Sequence, residues 1–361
     1  MIYRDRERVR KALAHEEPDR IPFCTFHPPA DAFVKVLDSL NLDPDRRACY
    51  FEGDFRYVSF REVVDRATYL PYLPGLPADA AAVTDFGIGE TEVFTAEGYV
   101  AGKKTWHPLA GIDTIPGLDA YPWPDMTDPR RHAHLDEEVR RAKAEGYTVI
   151  GQMSQTILEN AYRMRGMEAL FADFHERPSF VARLFEYHAE RRRFQAKRLI
   201  EAGVDVLRIG DDIATQQGLI IGPALYREAI KPFHVSVVKV ARDLKPGVPV
   251  LYHSDGNLTG LLPDLIDVGV SAINPAQVEC MDLVAVKREF GSRLTLWGCL
   301  PTQSIFAHGT GDEVREYLRW MKRELAPGGG LVVEFYNALV TPVFLSNLRV
   351  FCEEFFDLAN T

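Results

Sequence analysis

The sequence predicts an α/β protein: a (β/α)8 barrel with an inserted segment after its second strand. Three observations predict it. Eight short apolar runs read as strands, beginning near Arg20, Asp54, Tyr147, Val204, Val248, Val270, Leu294 and Leu331. Helical patterns separate most of them, and strand–helix alternation implies parallel pairing. No GxGxxG follows an early strand, which removes the main signature of the doubly wound alternative.

Taken in order, Arg4 to Ala14 reads as a helix with Val9 and Leu13 on one face. "RIPFCTF" is the first strand, "ADAFVKVLDSL" a helix and "DFRYVSF" the second strand. Residues 61–146 are rich in Pro and Gly, with strand-like pieces "EVFTA" and "KKTWHPL" but no sustained core pattern. They read as an insertion within a single domain, 1–361. The rhythm then becomes regular. "YTVIGQM" precedes a long helical region from Glu159 to Ala202. "VDVLRIGDD" precedes a helix from Pro223 to Asp243, and "VPVLYHSD" one from Thr259 to Val268. "VSAINPAQ", "LTLWGCL" and "GGLVVEFYN" are strands followed by helices Met281 to Phe290, Asp312 to Leu325 and Pro342 to Leu358.

The totals bound the function. A chain of 361 residues, 46% hydrophobic and 26% charged, buries a large core without covalent staples. A net charge of -10 argues against a broad basic surface for nucleic acid. Five scattered cysteines with no CxxC spacing support neither a disulfide framework nor a thiolate zinc module. "MIYRDRERVRKALAHEEPDR" has no apolar core of a signal peptide, and no apolar run approaches the ~20 residues of a membrane helix. A cytoplasmic enzyme is the expectation; a homodimer is left open.

In barrels of this kind the active site lies at the C-terminal ends of the strands. Those ends carry Gln152, Asp211 and Asp212, His253 and Asp255, Asn274 and Gln277, Cys299, Glu334, Tyr336 and Asn337. One polar strand end caps a loop; several converging on one mouth make a site. His253 and Asp255 are two apart, so both face the mouth if the strand persists that far. Imidazole with carboxylate suits a divalent metal, and equally a general acid/base pair. The competing reading is that Asp255 caps a turn while His253 bonds backbone. Of Asp211 and Asp212, one is expected to cap the next helix and the other, Asp212, to face the mouth. Glu334 lies in the apolar run "LVVEFY", where a carboxylate needs a metal or an arginine. Cys299 reads as a packed small hydrophobe rather than a nucleophile. "PGGGL" precedes a strand, not a helix, so it reads as a turn rather than a phosphate cradle.

These segments resemble the uroporphyrinogen decarboxylase superfamily, which includes the cobamide-dependent methyltransferases. "RERVRKALAHEEPDRIPF" is similar to the family's opening helix and strand. "TDFGIGETE", "HPLAGIDT" and "YPWPD" resemble the inserted segment of the methyltransferase-like branch. "EAGVDVLRIGDDIATQQGLIIGPALYREAIKPFH", "YHSDGNLTGLLPDLIDVGVSAINP" and "LAPGGGLVVE" follow that branch in order and spacing. The heme-pathway decarboxylase carries arginines after its first strand, whereas "FCTFHPPADAF" has none. Many of the methyltransferases bind zinc through an H-x-C motif and a later cysteine. Here His253 is kept, Asp255 replaces the first cysteine, and the second falls near Asn337.

The resemblance implies a corrinoid-linked methyltransferase demethylating a small O-methylated or otherwise methylated compound. Its cobamide would be presented by a separate corrinoid protein. His253, Asp255 and Asp212 are the expected catalytic groups. Gln152, Asp211, Asn274, Gln277, Tyr336, Asn337 and His27 would bind substrate. Zinc or another divalent metal would take His253, Asp255 and Glu334. The alternatives are a cofactor-free decarboxylase or lyase acting on a carboxylated compound, and a barrel that only binds a small molecule. A basic lining around Arg163, Arg208 and His27 would favour an anionic substrate.

Overall fold

The computed structural model describes residues 5–24, 38–40, 50, 53–77, 82–94, 100–336 and 341–359. Eight parallel strands form one nearly closed barrel: β1 (Phe23–Cys24), β2 (Phe55–Ser59), β3 (Thr148–Gln152), β4 (Val206–Gly210), β5 (Val250–His253), β6 (Ala272–Ala276), β7 (Thr295–Cys299) and β8 (Leu331–Glu334). Their spatial order is β1-β8-β7-β6-β5-β4-β3-β2, so each crossover reaches the neighbouring strand. The ladder joins β1 to β8 at Phe23↔Val333 and Cys24↔Glu334. The remaining gap, between β1 and β2, is closed by one residue. Asp54 donates its backbone N–H to Phe23 O at 2.8 Å and accepts Phe23 N–H on its carboxylate at 2.9 Å.

Each predicted strand is present, because each run is apolar on both faces: one face packs inside the barrel and the other under the helices. The inner face brings together Phe55, Ile150, Val206, Leu251, Ala272, Trp297 and Val332. Phe55 and Trp297 meet with ring centroids 4.7 Å apart. Val9 of helix α1 (Arg6–Leu13) joins this cluster, so α1 stoppers the N-terminal end of the barrel.

Two helical regions depart from the expected outlines. The stretch Glu159 to Ala202 is three helices: α3 (Leu158–Arg165), α4 (Met167–Glu176) and α5 (Pro178–Ala202). Gly166 at φ 90 separates the first two, and Pro178 starts the third at the one place where a missing N–H costs nothing. Before α6 (Lys231–Leu244) lies a π-turn, Tyr226–Ile230. Pro232 cannot donate to the preceding turn, which the wider turn accommodates.

The segment 61–146 holds a three-stranded antiparallel sheet, Ala82–Val83, Gly89–Phe94 and Val100–Trp106. It ends in α2 (Leu135–Ala144), which packs on β2 and β3 as the barrel's own crossover. The expected helix over "ADAFVKVLDSL" lies almost wholly outside the described residues. No helix among the described residues is long and apolar enough to cross a membrane.

Candidate active site

Strand alternation builds the site. Two residues beyond each inward apolar side chain, the same face turns polar. Phe55 is followed by Tyr57, Ile150 by Gln152, Val206 by Arg208, Leu251 by His253, Ala272 by Asn274 and Val332 by Glu334. A polar layer therefore rests on an apolar plug at the C-terminal end of the barrel.

Its centre is a hydrogen-bonded chain. His253 Nδ1 lies 2.7 Å from Asn274 Oδ1, and Asn274 Nδ2 donates to Glu334 Oε2 at 2.8 Å. The register pairs His253 with Asn274 and Glu334 with both Cys24 and Cys299. An amide oxygen only accepts, so His253 carries its proton on Nδ1, and Nε2 is left with its lone pair. Burial, and secondarily the Arg208 charge, drive the imidazole down to about 3, so it is neutral at physiological pH. Nε2 has no hydrogen-bond partner among the described residues. Glu334 is 2% exposed and burial pushes it up to about 7, against the opposing pull of Arg208. Arg208, also 2% exposed, places its guanidinium over the Tyr57 ring at 5.7 Å. Tyr57 in turn meets the Cys24 thiol at 3.4 Å.

A second group lies on the loops after β3, β4 and β5. Asp212 accepts the backbone N–H of Asp255 at 3.0 Å, and its own N–H points to Glu159 Oε2 at 3.3 Å. Burial and the neighbouring Asp212 and Asp211 charges push Glu159 up to about 8. Asp212 is raised as well, by burial first. Two carboxyls in one half-buried place hold a proton at neutral pH.

Asp211 is the capping member of the "GDD" pair. Its carboxylate accepts from Ile157 N at 2.9 Å and Glu159 N at 3.1 Å, at the start of α3, and from His234 Nε2 at 2.8 Å. It is fully buried, and the protein itself occupies its oxygens, where substrate binding is expected from the sequence. Gln277 accepts Gly256 N–H at 3.0 Å and so fixes the turn after His253. Tyr336 donates to Glu279 at 3.0 Å. Gln152 bonds Ser154 at 2.8 Å and lines a cavity beside the polar layer. His27 and Asn337 lie outside the described residues.

The three nominated metal ligands do not share a point. Strand β5 ends at His253, so strand alternation no longer governs Asp255, while Asn274 stands between His253 and Glu334. Among the described residues no three His, Cys, Asp or Glu side chains converge, so this donor set does not fit a common zinc. Cys299 likewise leaves the mouth. Gly298 at φ 112 packs against Pro275, Cys299 follows at φ 59, and its side chain joins the outer core. Burial drives its thiol far up, as a packed residue requires. Glu159 was not among the residues singled out from the sequence. Its signal is faint: one acid in the first turn of a helix, in "TILENAY".

A structure described as a methyltransferase from Methanosarcina mazei is 16% identical, covers 97% of this chain and 98% of its own, and has a TM-score of 0.60. At that identity it shows the fold. A B12-independent methionine synthase from Shewanella sp. W3-18-1, in complex with selenomethionine, is 12% identical over 92% of each chain, with a TM-score of 0.43. No curated protein matches the sequence. The family model for uroporphyrinogen decarboxylase (URO-D) matches residues 112–355, which takes in β3 to β8 with Arg208, His253, Asn274 and Glu334. This chain belongs to the uroporphyrinogen decarboxylase family.

Proposed function

We propose that this chain moves a methyl group from a small methylated compound to a cobamide carried by a separate corrinoid protein. The observation that supports it best is His253, locked by Asn274 as the neutral Nδ1–H form, with Nε2 left to accept from a ligand. The full-length likeness to the Methanosarcina methyltransferase adds support. A cobamide supplies, when bound, the nucleophile that takes the methyl. The rest falls to the protein. His253 Nε2 accepts a hydrogen bond from the substrate and sets its orientation. The leaving heteroatom gains electron density as its bond to carbon breaks, and it needs a proton. The Glu159–Asp212 pair holds one at neutral pH and gives it up, leaving both carboxylates ionised. Asp255 positions Asp212 through its backbone N–H.

One observation favours a second reading. Arg208 is a buried guanidinium in the polar layer, suited to a substrate carboxylate, as a cofactor-free decarboxylase would use.

The test is a corrinoid assay: purified protein, cob(I)alamin and a panel of methylated ethers, amines and thioethers, followed by absorbance, with carbon dioxide release measured in parallel. Methylation of the corrinoid by wild type, reduced ~10²–10⁴-fold in His253→Ala, is the expected result. Carbon dioxide release without corrinoid would replace the proposal with the second reading.

A further inference from the structure

A cavity of about 350 Å3 opens beside the polar layer, between the segment after β2, the end of β3 and helix α5. That is at the lower end of small-ligand pockets. It touches the site through Gln152, which belongs to both.

Most of its charges cancel within the protein. Asp85 pairs with Arg131 at 2.7 Å, and Glu90 pairs with Arg163. Two remain. Arg192, on α5, is 6% exposed and donates only to neutral acceptors: Gln195 Oε1 at 2.7 Å, Gln155 O at 2.8 Å and Thr156 O at 3.4 Å. No carboxylate among the described residues contacts it, and the charges of Asp85, Asp211 and Glu159 reach it only from further off. A buried guanidinium with no anion in contact suits one. Glu62, after β2, is exposed at the rim and has neither an ion pair nor a hydrogen bond among the described residues. Two positions before it, Phe60 turns into the same cavity. A carboxylate beside an aromatic ring is the chemistry that holds an alkylated ammonium.

From this arrangement we infer that the cavity binds a small zwitterion, with its carboxylate on Arg192 and its methylated ammonium against Glu62 and Phe60. The inference goes beyond the methyl-transfer reading and assigns a ligand to the cavity that adjoins the mouth through Gln152. Its binding part stands without turnover.

The experiment is calorimetric titration of the full chain with three probes of similar shape. Trimethylglycine carries both charges, 3,3-dimethylbutanoate only the carboxylate, and choline only the cation. Trimethylglycine is expected to bind wild type at least ~10-fold more tightly than either single-charge probe. In Glu62→Gln its affinity should fall to that of 3,3-dimethylbutanoate. In Arg192→Gln it should fall to that of choline, with circular dichroism checking the fold. If Arg192→Gln does not fold, Glu62→Gln decides alone, because that side chain is exposed. The inference is overturned if trimethylglycine gives no heat with wild type, if 3,3-dimethylbutanoate binds as well, or if Glu62→Gln changes nothing. Selective zwitterion binding without methyl transfer to corrinoid would keep this inference and sink the methyl-transfer reading. Turnover of an uncharged substrate alone would do the reverse.

Discussion

Two buried carboxylates, Asp54 and Glu334, occupy opposite ends of the same barrel; burial raises both, but their partners differ. Asp54, 2% exposed at the N-terminal end, is fully satisfied. It takes Arg8 at 3.2 Å, Arg20 at 3.0 Å and the backbone N–H of Phe23 at 2.9 Å. Glu334, equally buried at the C-terminal end, receives the neutral amide of Asn274, with the indole of Trp297 beside it. Arg208 acts on it as a neighbouring charge. One end spends its charges on closure. The other keeps a carboxyl whose proton is negotiable. This is the division of labour expected of such barrels, with stability at the bottom and chemistry at the top.

Removing the satisfied carboxylate has the largest expected effect on folding. Asp54→Ala removes the carboxylate that Arg20 and Arg8 share, leaving Arg8 its pair with Asp19, and opens the β1–β2 seam. A loss of about 3–5 kcal/mol is expected in urea denaturation, since breaking a buried pair strands the partner charge. A loss below about 1 kcal/mol would mean that Asp54 is not what closes the barrel, and the contrast between the two ends would fail.

The next effect is one of pH. Glu334 titrates at about 7 when folded against an ordinary 4.5. Between those values the unfolded chain has lost the proton and the native state holds it. Stability from this group therefore falls as pH rises from 4.5 to about 7, by at most about 3 kcal/mol. His253 runs the other way. Its folded value is about 3 against 6.5, so the unfolded chain binds the extra proton and stability rises across that window. The two slopes oppose each other between about 4.5 and 6.5. Glu334→Gln should expose the rising slope and His253→Gln the falling one, measured as unfolding free energy against pH. Parallel curves for both variants and wild type would show that these groups do not titrate differently on folding.

Much of this contrast is legible in the chain. The strands show because their apolar runs are unbroken, and the polar layer shows because "LYH", "INP" and "VVE" each turn polar at the inward position. "GDD" divides into a cap and a half-buried acid, as turn chemistry suggests. Alternation stops being a guide where the backbone leaves its period. Asp255 is two beyond His253, but the strand stops at His253. Cys299 is two beyond Trp297, but Gly298 turns the chain. Glu159 is invisible because its role depends on a distance to Asp212, 53 residues away, that no local pattern encodes. Asp54 is equally hidden: an acid before a strand reads as a cap until Arg8 and Arg20 are seen to meet it.

The smallest expected effect separates the two ends most sharply. In Glu334→Gln, Asn274 Nδ2 still finds an amide oxygen to donate to, so the chain from His253 is kept in outline. What disappears is the cost of holding a carboxylate in a dry place, so stability at pH 8 should stay within about 1 kcal/mol of wild type or rise. Asp54→Asn, the matching change at the bottom, keeps the shape but removes the anion that faces buried Arg20 and one of the two that face Arg8, and should lose several times as much. Urea denaturation of the two variants side by side at pH 8 tests this directly. Equal losses would mean that Glu334 is held as an anion by the Arg208 charge as firmly as Asp54 is by its arginines, and that its proton is not available to any reaction at the mouth.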